Sequence, residues 1–164
     1  MANWCSIAIE ITCKDEAGAS AINAQIEAAT AHAVKNHHDC IFIGCANLYL
    51  FSHSSSVCAK DFYLYGEVKW AFGSDDFRDL TSYIRSIAEI QNLSVEYEEG
   101  GCALFGRYEL NSEGAITHKY LPVSHYPEWS EENSESYYDI LLSALDEYGE
   151  EEKIHLQKEE FAYA

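Results

Sequence analysis

Positive charge is what this chain has least of: ten Lys and Arg stand against 28 Asp and Glu, leaving a formal charge of −18 over 164 residues. That balance opposes direct contact with phosphate backbones or anionic membranes, so the partners to expect are basic or otherwise protein-like. Two prolines and nine glycines exclude collagen, low complexity and a long flexible linker. No run of 18 apolar residues is present, which excludes a membrane-spanning helix. Met1 to Cys5 contain no basic segment leading into an apolar stretch, so the six cysteines are expected in a reducing, cytoplasmic setting. What is there is core material: 48% apolar and 13% aromatic residues, enough for one domain.

Periodicity divides the chain. Cys5, Ile7, Ile9 and Ile11 recur at period two and predict a strand over 4–13. Ala19, Ile22, Ile26, Ala29 and Ala33 form a narrow helical stripe over 15–35, opened by acidic residues. The apolar run 40–51 is too short for a helix with a polar face and reads as one strand, bent at Gly44, followed by a serine-rich turn at His53 to Ser56. Residues 62–72 alternate, with Phe62, Leu64, Val68, Trp70 and Phe72 on one side. Ser74 as N-cap, then Asp75 and Asp76, then Phe77, Leu80, Ile84 and Ile87 predict an amphipathic helix over 75–90. Strands at 93–98, 102–110 and 116–123, joined at Gly100-Gly101 and Asn111 to Gly114, complete a meander. The expected class is α+β: a ferredoxin-like antiparallel sheet over 1–127 with two helices on one face and an extra hairpin.

Residues 128–164 differ, holding twelve acids against Lys153 and Lys158. They read as an acidic helical extension packed on the same domain, with the helix running from Glu131 to Glu152 after a cap at Ser130 or Ser134. Its stripe of Tyr137, Ile140, Leu141, Ala144, Leu145 and Tyr148 falls opposite Glu131, Glu132, Glu135, Asp139, Asp146 and Glu150. Such a helix would span roughly 33 Å with nine acids along it, close to the charge density of one nucleic-acid strand.

Asn3-Trp4-Cys5 opening the first strand, Trp70 before a helix, and Tyr97-Glu98-Glu99-Gly100 followed by Phe105-Gly106-Arg107-Tyr108 resemble, over residues 2–123, the YubB ferredoxin-like family of phage and plasmid proteins. The resemblance implies an accessory protein of a mobile element in a bacterial cytoplasm and brings no catalytic residues with it.

Cys40, Cys45, His53 and Cys58 lie within nineteen residues, with His37 and His38 just before, but no pair has the tight spacing of a structural zinc site. Cys5, Cys40, Cys45 and Cys102 then read as small core residues on strands, and His37-His38 as a helix C-terminus. No glycine-rich elbow accompanies any Cys–His pair, and no phosphate-loop pattern occurs. Trp4 and Trp70 are expected in the core or its rim, and Trp129 as the staple of the acidic helix. Tyr63, Tyr65, Tyr120, Tyr126, Tyr137 and Tyr138 are candidates for an exposed recognition surface.

The expected function is a non-catalytic acidic interaction protein, a nucleic-acid mimic that occupies a basic groove on a host defence protein of restriction or CRISPR type. Glu131, Glu132, Glu135, Asp139, Asp146, Glu147, Glu150, Glu98 and Glu99 are the candidate partner-binding residues. No cofactor, metal or direct nucleic-acid contact is expected, and a homodimer is left open. The alternative is a small enzyme or metal-binding module using the Cys/His set.

Overall fold

A computed structural model describes residues 3–43 and 48–155. The elements run β1 (Trp4–Cys13), α1 (Glu16–Lys35), β2 (Ile41–Ile43), β3 (Leu48–Cys58), β4 (Asp61–Lys69), α2 (Ser74–Ile87), β5 (Ile90–Glu99), β6 (Leu104–Leu110), β7 (Ile116–Tyr120), α3 (Tyr137–Tyr148) and β8 (Glu150–Ile154). All eight strands join one antiparallel sheet in the order β2-β3-β4-β1-β5-β6-β7-β8. The class is mixed α+β as expected, with α1 and α2 on one face and α3 apart from them, but among the described residues the sheet has eight strands and is larger than a ferredoxin-like sandwich.

Alternation decides the faces. Cys5, Ile7, Ile9, Ile11 and Cys13 of β1 are buried, and they meet Leu93, Val95 and Tyr97 of β5 and Phe62 and Leu64 of β4. The same cluster takes Ala19, Ile22, Ile26 and Ala33 from α1 and Phe77, Leu80 and Ile84 from α2. Asp15 caps α1 by accepting the Gly18 amide at 2.8 Å, one of the donors a helix start leaves open. The α2 cap is Gly73, one residue before the expected Ser74, and its amide is held by the Asp76 carboxylate at 2.8 Å.

The other face carries α3. Phe105 points away from Tyr108 and Leu110 along β6, and with Leu121, Leu141 and Leu145 it makes a second, smaller cluster. Tyr126 and Tyr137 pack against that cluster, whereas Trp129 is exposed, so the expected staple is tyrosine and not tryptophan.

Several expectations are corrected here. The run 40–51 is not one strand but β2 and the start of β3, paired through Ile41↔Leu50 and Ile43↔Leu48; Gly44 and Cys45 lie outside the described residues. His53 to Ser56 are not a turn: Ser54, Ser55 and Ser56 pair with Tyr65, Leu64 and Tyr63, and cross-strand bonding overrides the weak strand preference of serine. The register shifts between Phe51 and Ser54, where Ser52 has φ +47°, and the real turn is Ala59-Lys60. β4 ends at Lys69, and Trp70 adopts φ +75°, which turns its ring out of the alternation. Trp4 and Trp70 are both exposed. Cys5 and Cys13 are buried, but Cys102 is exposed in a turn and Cys40 is half-buried ahead of β2.

The largest correction concerns the acidic segment. Its helix is α3 alone, twelve residues or about 18 Å, and not a continuous rod from Glu131 to Glu152. Residues 131–133 are a turn, 134–136 a short 3-10 helix, and Gly149 leaves the helix with ψ near +137°. Glu150, Glu151 and Glu152 then pair with Tyr120, Lys119 and His118 as the edge strand β8. Among the described residues no helix is long and apolar enough to cross a membrane.

Candidate functional site

The side of the sheet that carries α3 is only partly covered, and the uncovered part is polar. Glu10 and Thr12 of β1, Asn92, Ser94 and Glu96 of β5, and Arg107 and Glu109 of β6 line a groove of about 450 Å³. Arg107 donates from Nε and Nη2 to one oxygen of Glu96, at 3.3 and 2.8 Å, and lies 3.8 Å from Glu109. The Tyr138 hydroxyl of α3 donates to the other Glu96 oxygen at 2.8 Å. Two residues further along β5, Tyr126 donates to Glu98 at 2.7 Å. Burial, with the carboxylate bond adding to it, raises both phenols well above their ordinary pKa, so both stay protonated donors.

Glu96 and Glu98 therefore bind α3 and the loop before it to the sheet. The tyrosines expected as a recognition surface are largely spent in the same way: Tyr120 donates to Glu150 at 2.8 Å and Tyr137 to the Pro127 carbonyl at 2.9 Å. Tyr65 remains exposed on the open face.

The nine candidate acids do not form one rail. Glu99 is buried and accepts from the Gly101 and Cys102 amides at 3.1 and 2.8 Å, capping the β5–β6 turn; it is shut away from any partner. Glu98 is the Tyr126 acceptor. Glu131 and Glu132 lie in the turn, Glu135 in the 3-10 helix, Asp139, Asp146 and Glu147 on α3, and Glu150 on β8, all exposed. Asp146 stands 3.9 Å from Lys119. Among the described residues Glu131, Glu132, Glu135, Asp139 and Glu147 make no ion pair. With three acids over about 18 Å, α3 falls below the roughly five phosphates one strand carries in that length. The helix is not a strand of phosphates; the acids form a patch spread over a turn, a helix and an edge strand.

A second constellation escaped sequence reasoning. Tyr97 of β5 lies 2.7 Å from His118 Nε2, and His118 Nδ1 lies 2.9 Å from Glu152, while the imidazole stacks on Tyr108 with centroids 4.0 Å apart. Burial lowers the His118 pKa, against the pull of Glu152, so the neutral ring donates from Nδ1 to Glu152 and accepts the Tyr97 hydroxyl at Nε2. Connectivity of this kind serves nucleophilic catalysis when the end group is accessible. Here Tyr97 is 7% exposed and burial pushes its hydroxyl pKa far up, so the chain of bonds ties β5, β7 and β8 together. The inward position of His118 beside Ile116 was a legible signal; the Glu152 end was hidden by the expected helix.

Among the described residues no group of three or more His, Cys, Asp or Glu is placed to hold a metal ion. No family model matches the chain, and no curated protein or solved structure matches it. The resemblance to the YubB family rests on the residues that carry it.

Proposed function

We propose that the protein is a non-catalytic acidic docking module of a phage or plasmid that binds a basic surface on a host protein and competes there with nucleic acid. The observation that supports this most is the placement of charge. Residues 19–60 are neutral, Glu27 and Asp39 balancing Lys35 and Lys60, while residues 61–164 hold 23 acids against seven bases. Of the unpaired acids of the α3 end, Asp139 and Glu147 stand on a helix fixed by Phe105, Leu141 and Leu145, and Glu131, Glu132 and Glu135 lie in the turn and 3-10 helix that lead into it, so they are presented without ordering a disordered tail. The order β3-β4-β1-β5 with α1 and α2 supports reading the core as a ferredoxin-like unit, extended on both edges. An acidic surface of this kind raises association rates with basic partners more than it adds affinity.

The test is displacement of a labelled duplex from a panel of basic nucleic-acid-binding proteins, read by fluorescence anisotropy. The unmodified chain is expected to displace the duplex from at least one member, with a potency that falls steeply as salt rises. The variant carrying Glu131→Gln, Glu135→Gln, Asp139→Asn, Asp146→Asn and Glu150→Gln is expected to lose most of that potency. Equal displacement by variant and parent overturns the assignment.

A further inference from the structure

We propose that two copies of this chain meet at the β2 edge of the sheet. A sheet in this order has two edges, and they are built differently. The β8 edge presents Glu150, Glu151 and Glu152 in succession, all exposed, so pairing it with another β8 sets like charges face to face. Among the described residues the β2 edge, Ile41 to Ile43, carries no charged side chain. Phe42 and Tyr49 lie paired across β2 and β3, 45% and 47% exposed, with ring centroids 5.3 Å apart.

The surroundings of β2 are apolar and hollow. Grooves of about 360 and 380 Å³ share Cys40 and Tyr49; Phe51 and Trp70 line one, Phe42 and His38 the other. Trp70 stands 63% exposed with φ +75°, in the left-handed region that residues with a Cβ disfavour. An exposed aromatic group of this density marks a contact surface.

Charge selects the occupant. This end of the molecule is built mainly from the neutral stretch 19–60, and Lys69 and Asp76, which also line the Trp70 groove, offset one another, so its net charge attracts neither a strongly basic nor a strongly acidic partner. It is also where a chain of net charge −18 can approach its own copy. Seven strand spacings separate β2 from β8, about 34 Å at 4.8 Å each, over three Debye lengths at physiological salt. Two copies joined at β2 about a two-fold axis hold their acidic ends at opposite poles, about 70 Å apart by the same spacing. The remaining repulsion is screened, and the pair leaves both acidic surfaces free.

Sedimentation velocity of the full chain over a range of concentrations and salt tests this. A reversible dimer is expected, tightening as salt rises because screening removes residual repulsion while the contact itself is apolar. That sign is opposite to the salt response of acidic docking to a basic partner, so the two assignments fail separately. Phe42→Glu with Tyr49→Glu is expected to weaken the dimer by at least about tenfold, and Glu151→Gln at the far edge to leave it unchanged. Hydrogen exchange on the unmodified chain supplies a readout independent of variant folding: Ile41 to Ile43 gain protection with concentration, and Glu150 to Ile154 do not. A chain that stays monomeric throughout, a dimer indifferent to the Phe42 and Tyr49 changes in a folded variant, or protection appearing at β8 overturns the proposal.

Discussion

Gly106→Ala is the smallest change expected to loosen the attachment of the acidic edge to the rest of the sheet. A Cβ at Gly106 meets the Tyr97 hydroxyl oxygen at 2.5 Å, its ring carbon at 2.8 Å and the Lys119 carbonyl at 2.7 Å. The carbonyl belongs to the β6–β7 ladder and has little room to move, so Tyr97 must shift and its 2.7 Å bond to His118 stretches or breaks. Forcing one carbon into a filled site costs about 1–3 kcal/mol. Leaving the buried His118 Nε2 without a donor costs about as much again. The expected loss is about 3 kcal/mol, which for a chain of this length lowers Tm by about 6–12 °C. Urea and thermal unfolding followed by far-UV circular dichroism measure it. Tyr97→Phe in the same background makes the reasoning sharper, because removing the hydroxyl relieves the shortest contact. The second change should therefore cost less in the Gly106→Ala protein than in the parent, with a coupling of about 1–2 kcal/mol. Strict additivity, or a Tm for Gly106→Ala within experimental error of the parent, would refute the account.

Three other outcomes follow from the same contacts. Leu145→Ala, at a position with no exposed surface in the small cluster under α3, should cost about 2–5 kcal/mol and open residues 128–148 to limited proteolysis before the main sheet melts; uniform loss of structure would contradict a separate second cluster. His118 binds its proton less readily folded than unfolded, so its contribution is whole above its ordinary pKa of 6.5 and drains away as pH falls below that value. The stability difference between the parent and His118→Phe should accordingly shrink on acidification, and a difference that grows would reverse the assigned direction. Glu131→Gln with Glu135→Gln and Asp139→Asn removes exposed charges that have no ion-pair partner, so Tm should hold at high salt and rise at low salt; a fall at both would show a structural role.

Most of the α1–α2 side was legible because its signals are local and regular. Asp15 ahead of Ala19, Ile22 and Ile26, and the alternation of Phe62 with Leu64 or Leu93 with Val95, each report a face that is buried. The α3 face was legible in part: Leu141 and Leu145 were placed inward and the acids outward, as found. The end of the helix is not legible because Glu150-Glu151-Glu152-Lys153 alternates in nothing, and only pairing with Thr117 to Tyr120 makes it a strand. The serines of β3 hide their strand for a related reason: it is imposed by β4. Glu99 shows what composition conceals, since a carboxylate beside two glycines turned out to be buried by the amides of the turn it caps.

The central position of β1 sets the order in which the molecule can assemble. It is made before both of its neighbours, Thr12 waiting for Asp61 and Ser6 for Glu98. Until residue 99 is synthesised Ile7, Ile9 and Ile11 have an open flank, and closing loops of that length places the fold among the slower, ms-to-s class. During that interval the chain leaves apolar strand faces uncovered and carries less than half of the final charge, because the acids past Glu128 have yet to be made. The segment that dominates the charge of the finished protein contributes nothing to keeping its early chain apart from others, so truncations ending before residue 128 should be the forms that aggregate.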